Sequence, residues 1–108
     1  MIDFNSIPET SIVNLNGGNG AVKANMYMGN NIKIMRAVLE SGCSIGKHLH
    51  KTSCETIYIL EGEAECILDG KTEIVKAGQC HFCPKGSMHE IKNNSGRPLI
   101  MFDVVPEQ

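Results

Sequence analysis

The sequence predicts an all-β fold, a sandwich or barrel of the jelly-roll kind. Turn-forming residues recur at short intervals along the chain, so no interval suits a long helix. Between the turns, apolar and polar residues alternate, most clearly over residues 23–28 and 56–59, and a period of two is typical of strands. Asp69 and Gly70 lie between two β-prone runs and predict a tight hairpin. Many short strands joined by turns favour a jelly roll.

The composition indicates one ordinary globular domain over residues 1–108. Hydrophobic residues make up 42% of the chain and charged residues 20%, which argues against a disordered protein. The formal net charge is -2 and the basic residues form no stripe, so we expect no nucleic-acid partner. No segment resembles a signal peptide or a membrane span, so we expect a cytoplasmic protein with no membrane partner.

The cysteines predict reduced thiols rather than a disulfide framework, because their number is odd and nothing indicates export. We expect Cys66 to fill the core. Cys80 and Cys83 form a Cys-x-x-Cys pattern, but residues three apart on a strand face opposite sides. Packing is therefore favoured over a shared metal or a disulfide. The five cysteines are Cys43, Cys54, Cys66, Cys80 and Cys83.

One predicted strand, over residues 31–40, is apolar on both faces. Ile34 and Val38 share one face, and Met35 and Leu39 share the other. A strand of this kind needs a cover on its outer side, and a second copy of the chain is the simplest cover. We therefore expect a homodimer.

Three histidines and one carboxylate form a candidate metal site. His48 and His50 share a strand face, because side chains two apart point the same way. Glu55 opens the next strand, which can return beside the first, and His89 follows a turn at Pro84-x-Gly86. Such a mixed nitrogen and oxygen set suits iron, manganese, nickel, copper, cobalt or zinc. It can also leave coordination positions open, as a catalytic metal requires.

These residues fall into two patterns that resemble the motifs of the cupin superfamily. The first, over residues 42–62, reads Gly42, five residues, His48, one residue, His50, four residues, Glu55, six residues, Gly62. The second, over residues 78–93, reads Gly78, five residues, Pro84, one residue, Gly86, two residues, His89, three residues, Asn93. Every fixed position of both patterns is filled.

The resemblance implies a small jelly-roll barrel, the double-stranded β-helix of cupins, which is commonly dimeric. It also implies one divalent metal at the base of the mouth, held by the positions that match His48, His50, Glu55 and His89. Members of the superfamily include dioxygenases, decarboxylases, sugar isomerases and epimerases, and also non-catalytic binding and storage proteins. The fold alone therefore leaves the function open.

Several further residues are candidates for the walls of the site. Ile57 and Ile59 follow Glu55 at even spacing, and Ile91 follows His89 by two residues, so each shares a strand face with a candidate ligand. We therefore expect these isoleucines to form an apolar wall around the metal site.

Two polar residues have two interpretations each. His81 could donate a hydrogen bond to a ligand or contact the substrate, or it could be exposed or face a dimer partner. Arg36 could select a carboxylate or phosphate from inside the barrel, or lie on the surface.

The functional prediction is a metal-dependent enzyme that acts on a small molecule, with the isomerase, decarboxylase or dioxygenase class unresolved. Glu55 is the candidate catalytic residue, since a carboxylate ligand can change its bonding and act as a base. The alternative is a non-catalytic, metal-bearing module that binds or senses a small molecule. A degenerate cupin without metal is a third interpretation, in which the four residues form a hydrated polar cluster.

Overall fold

The computed structural model describes all residues 1–108 as ten β-strands and two short 3-10 helices. The 3-10 helices are Phe4–Ser6 and Leu15–Gly17. The strands are β1 (Glu9–Val13), β2 (Ala21–Gly29), β3 (Ile32–Leu39), β4 (Ser44–Leu49), β5 (Glu55–Glu61), β6 (Glu63–Leu68), β7 (Lys71–Lys76), β8 (Cys80–Cys83), β9 (Met88–Lys92) and β10 (Leu99–Pro106). No helix is long and apolar enough to cross a membrane.

The strands form two antiparallel sheets that pack against each other. The larger sheet has the order β1-β2-β3-β10-β5-β8, and the smaller has the order β4-β9-β6-β7. Fourteen buried residues from both sheets form one hydrophobic cluster between them. The predicted jelly-roll fold is confirmed.

The core consists of aliphatic side chains, alanines, methionines and a cysteine. Leu39, Ile59, Leu99 and Met101 are fully buried in the larger sheet, and Ile91 faces them from the smaller one. Cys66 is also fully buried in this cluster, as predicted. Cys80 is exposed while Cys83 is buried, so these two thiols face opposite sides of β8.

The hairpin between β6 and β7 is as predicted from Asp69 and Gly70. Leu68 pairs with Lys71 across the turn, and the two turn residues have φ values of +47° and +82°. Positive φ at both positions is the requirement of a type I′ turn. The Asp69 carboxylate also accepts a 2.9 Å hydrogen bond from the backbone N–H of Met88, which ties the hairpin to the start of β9.

An irregularity in β4 changes which side chains face the core. Ile45 pairs with Ile91 and His48 pairs with His89, so three residue steps on β4 match two on β9. This extra residue is a β-bulge. Without it, strand alternation would place Lys47 and Leu49 on the inner face together with Ile45. With it, His48 faces inward.

The outer face of the larger sheet carries an apolar patch formed by Tyr58, Leu60, Phe82 and Phe102. The first three are exposed, and the side chain of Phe82 keeps 51% of its surface accessible. Phe102 pairs with Tyr58 across β10 and β5, and its ring meets the ring of Phe4 edge-on at 5.3 Å. The patch is therefore only partly covered by the N-terminal 3-10 helix.

Candidate metal centre

The structure brings His48, His50, Glu55 and His89 together at one point between the sheets. Their nearest ligand atoms all lie within 4.8 Å of one another. The Nε2 of His89 lies 3.0 Å from the Nε2 of both His48 and His50. The Oε1 of Glu55 lies 3.1 Å from the same His89 nitrogen and 3.0 Å from the Nε2 of His50.

The spacing of these atoms fits donors around one cation. A ring nitrogen carries either one proton or one lone pair, so the Nε2 of His89 cannot hydrogen-bond to three neighbours at once. Two bonds of about 2.1 Å that meet near a right angle place their donor atoms about 3.0 Å apart. The four residues could therefore hold a metal ion, and a set of three imidazoles and one carboxylate suits a divalent transition metal.

The bulge in β4 is fixed by a close approach of two backbone segments. A side chain at Gly46 would place its Cβ 2.0 Å from the carbonyl oxygen of Asn16, so only glycine fits there. The carbonyl oxygen of Gly46 accepts a 2.7 Å hydrogen bond from the Nδ1–H of His48. The bulge thus aims the His48 ring and also leaves its Nε2 without a proton, as metal binding requires.

The second sequence motif holds His50 of the first motif in place. The backbone N–H of His50 donates to the carbonyl of Ser87 at 2.9 Å, and the N–H of Gly86 donates to the carbonyl of His50 at 2.7 Å. Gly86 has a φ of +90°, a conformation that favours glycine. On the ring itself, Nδ1 lies 3.0 Å from the Oγ of Ser53, so Nε2 is again the atom that faces the cluster.

The electrostatics of the cluster favour the protonation states that a metal needs. Burial lowers the pKa of His48, despite its hydrogen bond to the carbonyl of Gly46. Burial alone would raise the pKa of Glu55, but its close contacts with His50 and His89 hold it below its usual value in the metal-free protein. A neutral imidazole and an ionised carboxylate are the forms that coordinate a cation.

Comparison with known proteins identifies the family. Residues 35–105 match the model of the Cupin domain family. The chain belongs to the cupin family. It is 35% identical over 75 residues to the uncharacterized protein MJ1618 of Methanocaldococcus jannaschii, a match that covers 69% of this chain and 60% of that protein. This cupin therefore spans less than two thirds of that relative's length.

Solved structures agree with this assignment. A predicted oxalate decarboxylase from Thermotoga maritima superimposes with a TM-score of 0.93 at 29% identity, covering 100% of this cupin and 99% of that chain. An RmlC-like cupin from Shewanella frigidimarina superimposes with a TM-score of 0.81 at 19% identity, covering 100% and 90% of the two chains. The second similarity shows the shared fold alone.

His48, His50 and Glu55 border a cavity of about 530 Å³ that opens between the β2–β3 hairpin and the loop after β4, whereas the buried His89 is not part of its lining. Of the three isoleucines expected in its wall, only Ile91 lines it. Ile57 and Ile59 are fully buried in the core of the cupin barrel. Both side chains face the interior, as strand alternation predicted, but they lie further along β5 than Glu55, which borders the cavity.

Two polar candidates do not line the cavity either. Arg36 is exposed between buried Met35 and Ala37, so it lies on the outer face of β3 and the interior interpretation is wrong. His81 is fully buried and does not reach the cavity. Its Nε2 lies 3.0 Å from the Nδ1 of His89, behind the cluster.

Sequence reasoning missed Asp103, a fully buried carboxyl group on β10. Neither of its side-chain oxygens has a hydrogen-bond partner within ordinary geometric limits. Burial, followed by the negative charge of nearby Glu55, raises its pKa well above the usual value. A protonated Asp103 can donate a hydrogen bond to Glu55, which is consistent with the lowered pKa of Glu55. The signal was available, since Asp103 stands at an inward position of an otherwise apolar strand.

Proposed function

We propose that this cupin, acting as one domain over residues 1–108, holds a divalent transition metal and acts with it on a small anionic molecule. The ligands would be His48, His50, Glu55 and His89. The observation that carries the proposal is the convergence of these four donors beside an open cavity, so that a ligated ion could still be reached by a small molecule. A metal with open positions is what cupin-type catalysis by a Lewis acid requires.

The charges of the cavity favour an anion. Lys33 and Lys51 line it, and they balance the carboxylates of Glu55 and Glu107, which line it as well. With the histidines neutral, a divalent ion would leave the cavity with a net positive charge. A compact molecule with carboxylate oxygens would satisfy both the ion and a lysine.

The residues of this cupin have distinct roles in the proposed reaction. A bound divalent ion would polarise the oxygens of the ligand as a Lewis acid. His48, His50 and His89 hold their Nε2 atoms toward the centre, with each Nδ1 engaged elsewhere. Glu55, held ionised, can loosen from the centre and accept a proton from the ligand.

Metal quantification tests the proposal directly. Protein purified without chelators is analysed by inductively coupled plasma mass spectrometry, with His48→Ala as the control. We expect close to one divalent ion per wild-type chain and a large loss in the variant. A wild-type protein that carries no ion, and takes up neither manganese, iron nor zinc when they are added, would overturn the proposal and favour a degenerate cupin.

Oxalate is the first molecule to test, because the similar Thermotoga maritima protein is described as a predicted oxalate decarboxylase. Decarboxylation of hydrogen oxalate breaks the carbon–carbon bond and gives formate and carbon dioxide. ¹³C-labelled oxalate is incubated with metal-loaded protein and followed by NMR. Labelled formate would support the enzyme, whereas oxalate that binds and is recovered unchanged would support the binding module. Absence of binding would exclude oxalate.

We also propose that this cupin forms a homodimer through the apolar patch of Tyr58, Leu60, Phe82 and Phe102. The patch is contiguous across three neighbouring strands, because Tyr58 pairs with Phe102 on one side and with Cys80 of β8 on the other. Light scattering coupled to size-exclusion chromatography measures the mass in solution. Leu60→Lys should yield monomers, and a monomeric wild-type protein would contradict the dimer. A cytoplasmic location stays a prediction.

A further inference from the structure

A row of hydrogen bonds runs from His89 through His81 to Glu73 on the side away from the cavity. The Nδ1 of His89 lies 3.0 Å from the Nε2 of His81, and the Nδ1 of His81 lies 2.6 Å from the Oε1 of Glu73. His81 is fully buried, while 52% of the Glu73 side chain is accessible. The row therefore connects the cluster with the surface at β7.

We propose that Glu73 and His81 are positioning residues that fix which nitrogen of His89 carries its proton. The inference rests on the proposed metal binding. For His89 to bind a cation through Nε2, its proton must be on Nδ1. That Nδ1–H then donates to the Nε2 of His81, which must carry a lone pair.

The same logic fixes the proton of His81. Because its Nε2 accepts, the proton of a neutral His81 lies on Nδ1, where it donates to Glu73. An ionised carboxylate can only accept, so the donor and acceptor of every link are determined.

The opposite arrangement is unfavourable at both ends of the row. If the Nε2–H of His81 donated to His89, the proton of neutral His89 would be on Nε2 and would block the metal-facing lone pair. The bare Nδ1 of His81 would then face a carboxylate oxygen at 2.6 Å, so two acceptors would be in contact. Two buried acceptors in contact with no proton between them destabilise this arrangement.

The geometry of the rings supports the first arrangement. The planes of His81 and His89 differ by only 13°, and their centroids are 5.2 Å apart. With the nitrogens 3.0 Å apart, the rings meet close to edge to edge, so an N–H in the plane of one points at the in-plane lone pair of the other. The inner-face position of Glu73 opposite Cys66 brings its carboxylate within reach of His81.

Among the three histidines, this outer partner is specific to His89. The Nδ1 of His48 is bonded to a backbone carbonyl and that of His50 to a serine hydroxyl, both without charge. An imidazole that is itself bonded to a carboxylate is a stronger acceptor, and such partners raise the basicity of a metal ligand. Glu73 thus acts on the metal through two imidazoles although it contacts no ligand of the centre.

The first experiment measures the affinity of the protein for Zn²⁺ by competition with a chromophoric chelator. Glu73→Ala should weaken binding about 10-fold, and His81→Leu about 10- to 100-fold, the range for such outer partners. Glu73→Gln should lose less than Glu73→Ala, since its amide oxygen still accepts from His81. The matched control is Glu90→Ala, which removes a carboxylate beside His89 that makes no contact with the histidine row and should change affinity less than 2-fold.

The second experiment reads the protons directly and needs no substitution. The wild-type protein is labelled with ¹⁵N-histidine, loaded with Zn²⁺ and examined by NMR for the protonated nitrogen of each ring. We expect Nδ1–H for both His81 and His89. Nε2–H in His81 would overturn the inference, as would a Glu73→Ala affinity equal to that of Glu90→Ala. A wild-type protein that binds neither Zn²⁺, manganese nor iron would overturn the proposed function and this inference together.

Discussion

The Oε1 of Glu55 lies 3.0 Å from the Nε2 of His50 in a buried environment. This contact keeps the carboxylate ionised and close to the histidines. We predict that Glu55→Gln retains most of the bound metal, because the amide oxygen can still act as a ligand, but abolishes turnover, because the amide cannot accept a proton. Metal content and formate production are measured on the same sample. Equal loss of both would show that Glu55 is only a ligand.

Removal of the metal should lower thermal stability. An ion present at 100 times its dissociation constant stabilises the folded state by about 2.7 kcal/mol. For a chain of this size we expect addition of Zn²⁺ to raise Tm by roughly 10 °C or more, and excess chelator to reverse the rise. His48→Ala should fold, since its side chain is 21% accessible, but should lose most of the shift. An equal shift in the variant would contradict the role of His48.

The substitution Gly46→Ala should destabilise the metal-free protein, because the new Cβ would meet a backbone oxygen of Asn16. We expect the free energy of unfolding in urea to fall by about 3 kcal/mol. Gly70→Ala is the control for backbone strain alone, since Gly70 has a φ of +82° and open space around its Cα. Gly70→Ala should lower the free energy of unfolding by about 1 kcal/mol. A smaller effect at Gly46 than at Gly70 would show that the 3-10 helix moves aside.

Asp103 should make the stability of the metal-free protein fall as the pH rises. Burial raises its pKa in the folded state, with Lys33 opposing the shift, so folding takes up a proton once the pH exceeds the unfolded pKa of about 3.9. The free energy of unfolding then falls by about 1.4 kcal/mol per pH unit until the pH reaches the pKa of Asp103 in the folded state. Asp103→Asn should lack this slope and be more stable than the wild type at pH 7.

Urea unfolding at pH 5 and pH 7, with chelator present, measures the Asp103 prediction. The difference between the two proteins reports on residue 103 together with Glu55, whose pKa depends on its contact with Asp103. If the free energies of unfolding of the wild type and Asp103→Asn change equally between the two pH values, Asp103 is not protonated in the folded state.

Thiol labelling should distinguish the cysteines. Burial raises the pKa of Cys66 to about 12 and that of Cys83 to about 11, so almost no thiolate forms at either position at pH 8. Cys80 is exposed and should react first with iodoacetamide, as mass spectrometry of the digested protein would show. Cys80→Ser should remove the fast phase. Rapid labelling of Cys66 in the folded protein would contradict its place in the core.

The parts of the site that the sequence predicts are those set by local alternation. His48, His50 and Glu55 lie close together along the chain, and the motif spacing brings in His89. The bulge was not predictable, because an extra residue is defined only by the partner strand, here β9. For the same reason the alternation of β5 predicted that Ile57 is buried but could not tell how far it lies from the cavity.

The contacts behind the centre were harder to predict because they join distant strands. The sequence left the face of His81 open, and its partner Glu73 belongs to the opposite sheet. Arg36 was open to two interpretations until the pairing of β3 with its neighbours fixed its outer side.

The position of β10 has a consequence for how the protein is made. This last strand lies between β3 and β5, in the middle of the larger sheet. Until residue 106 has been synthesised, a nascent chain on the ribosome lacks a complete β10. The edges of β3 and β5 that face it then expose backbone groups without hydrogen-bond partners. Stable folding must therefore follow synthesis of β10, and pairings over such long sequence separations close slowly. In the interval the chain is vulnerable to aggregation, which chaperone binding would reduce.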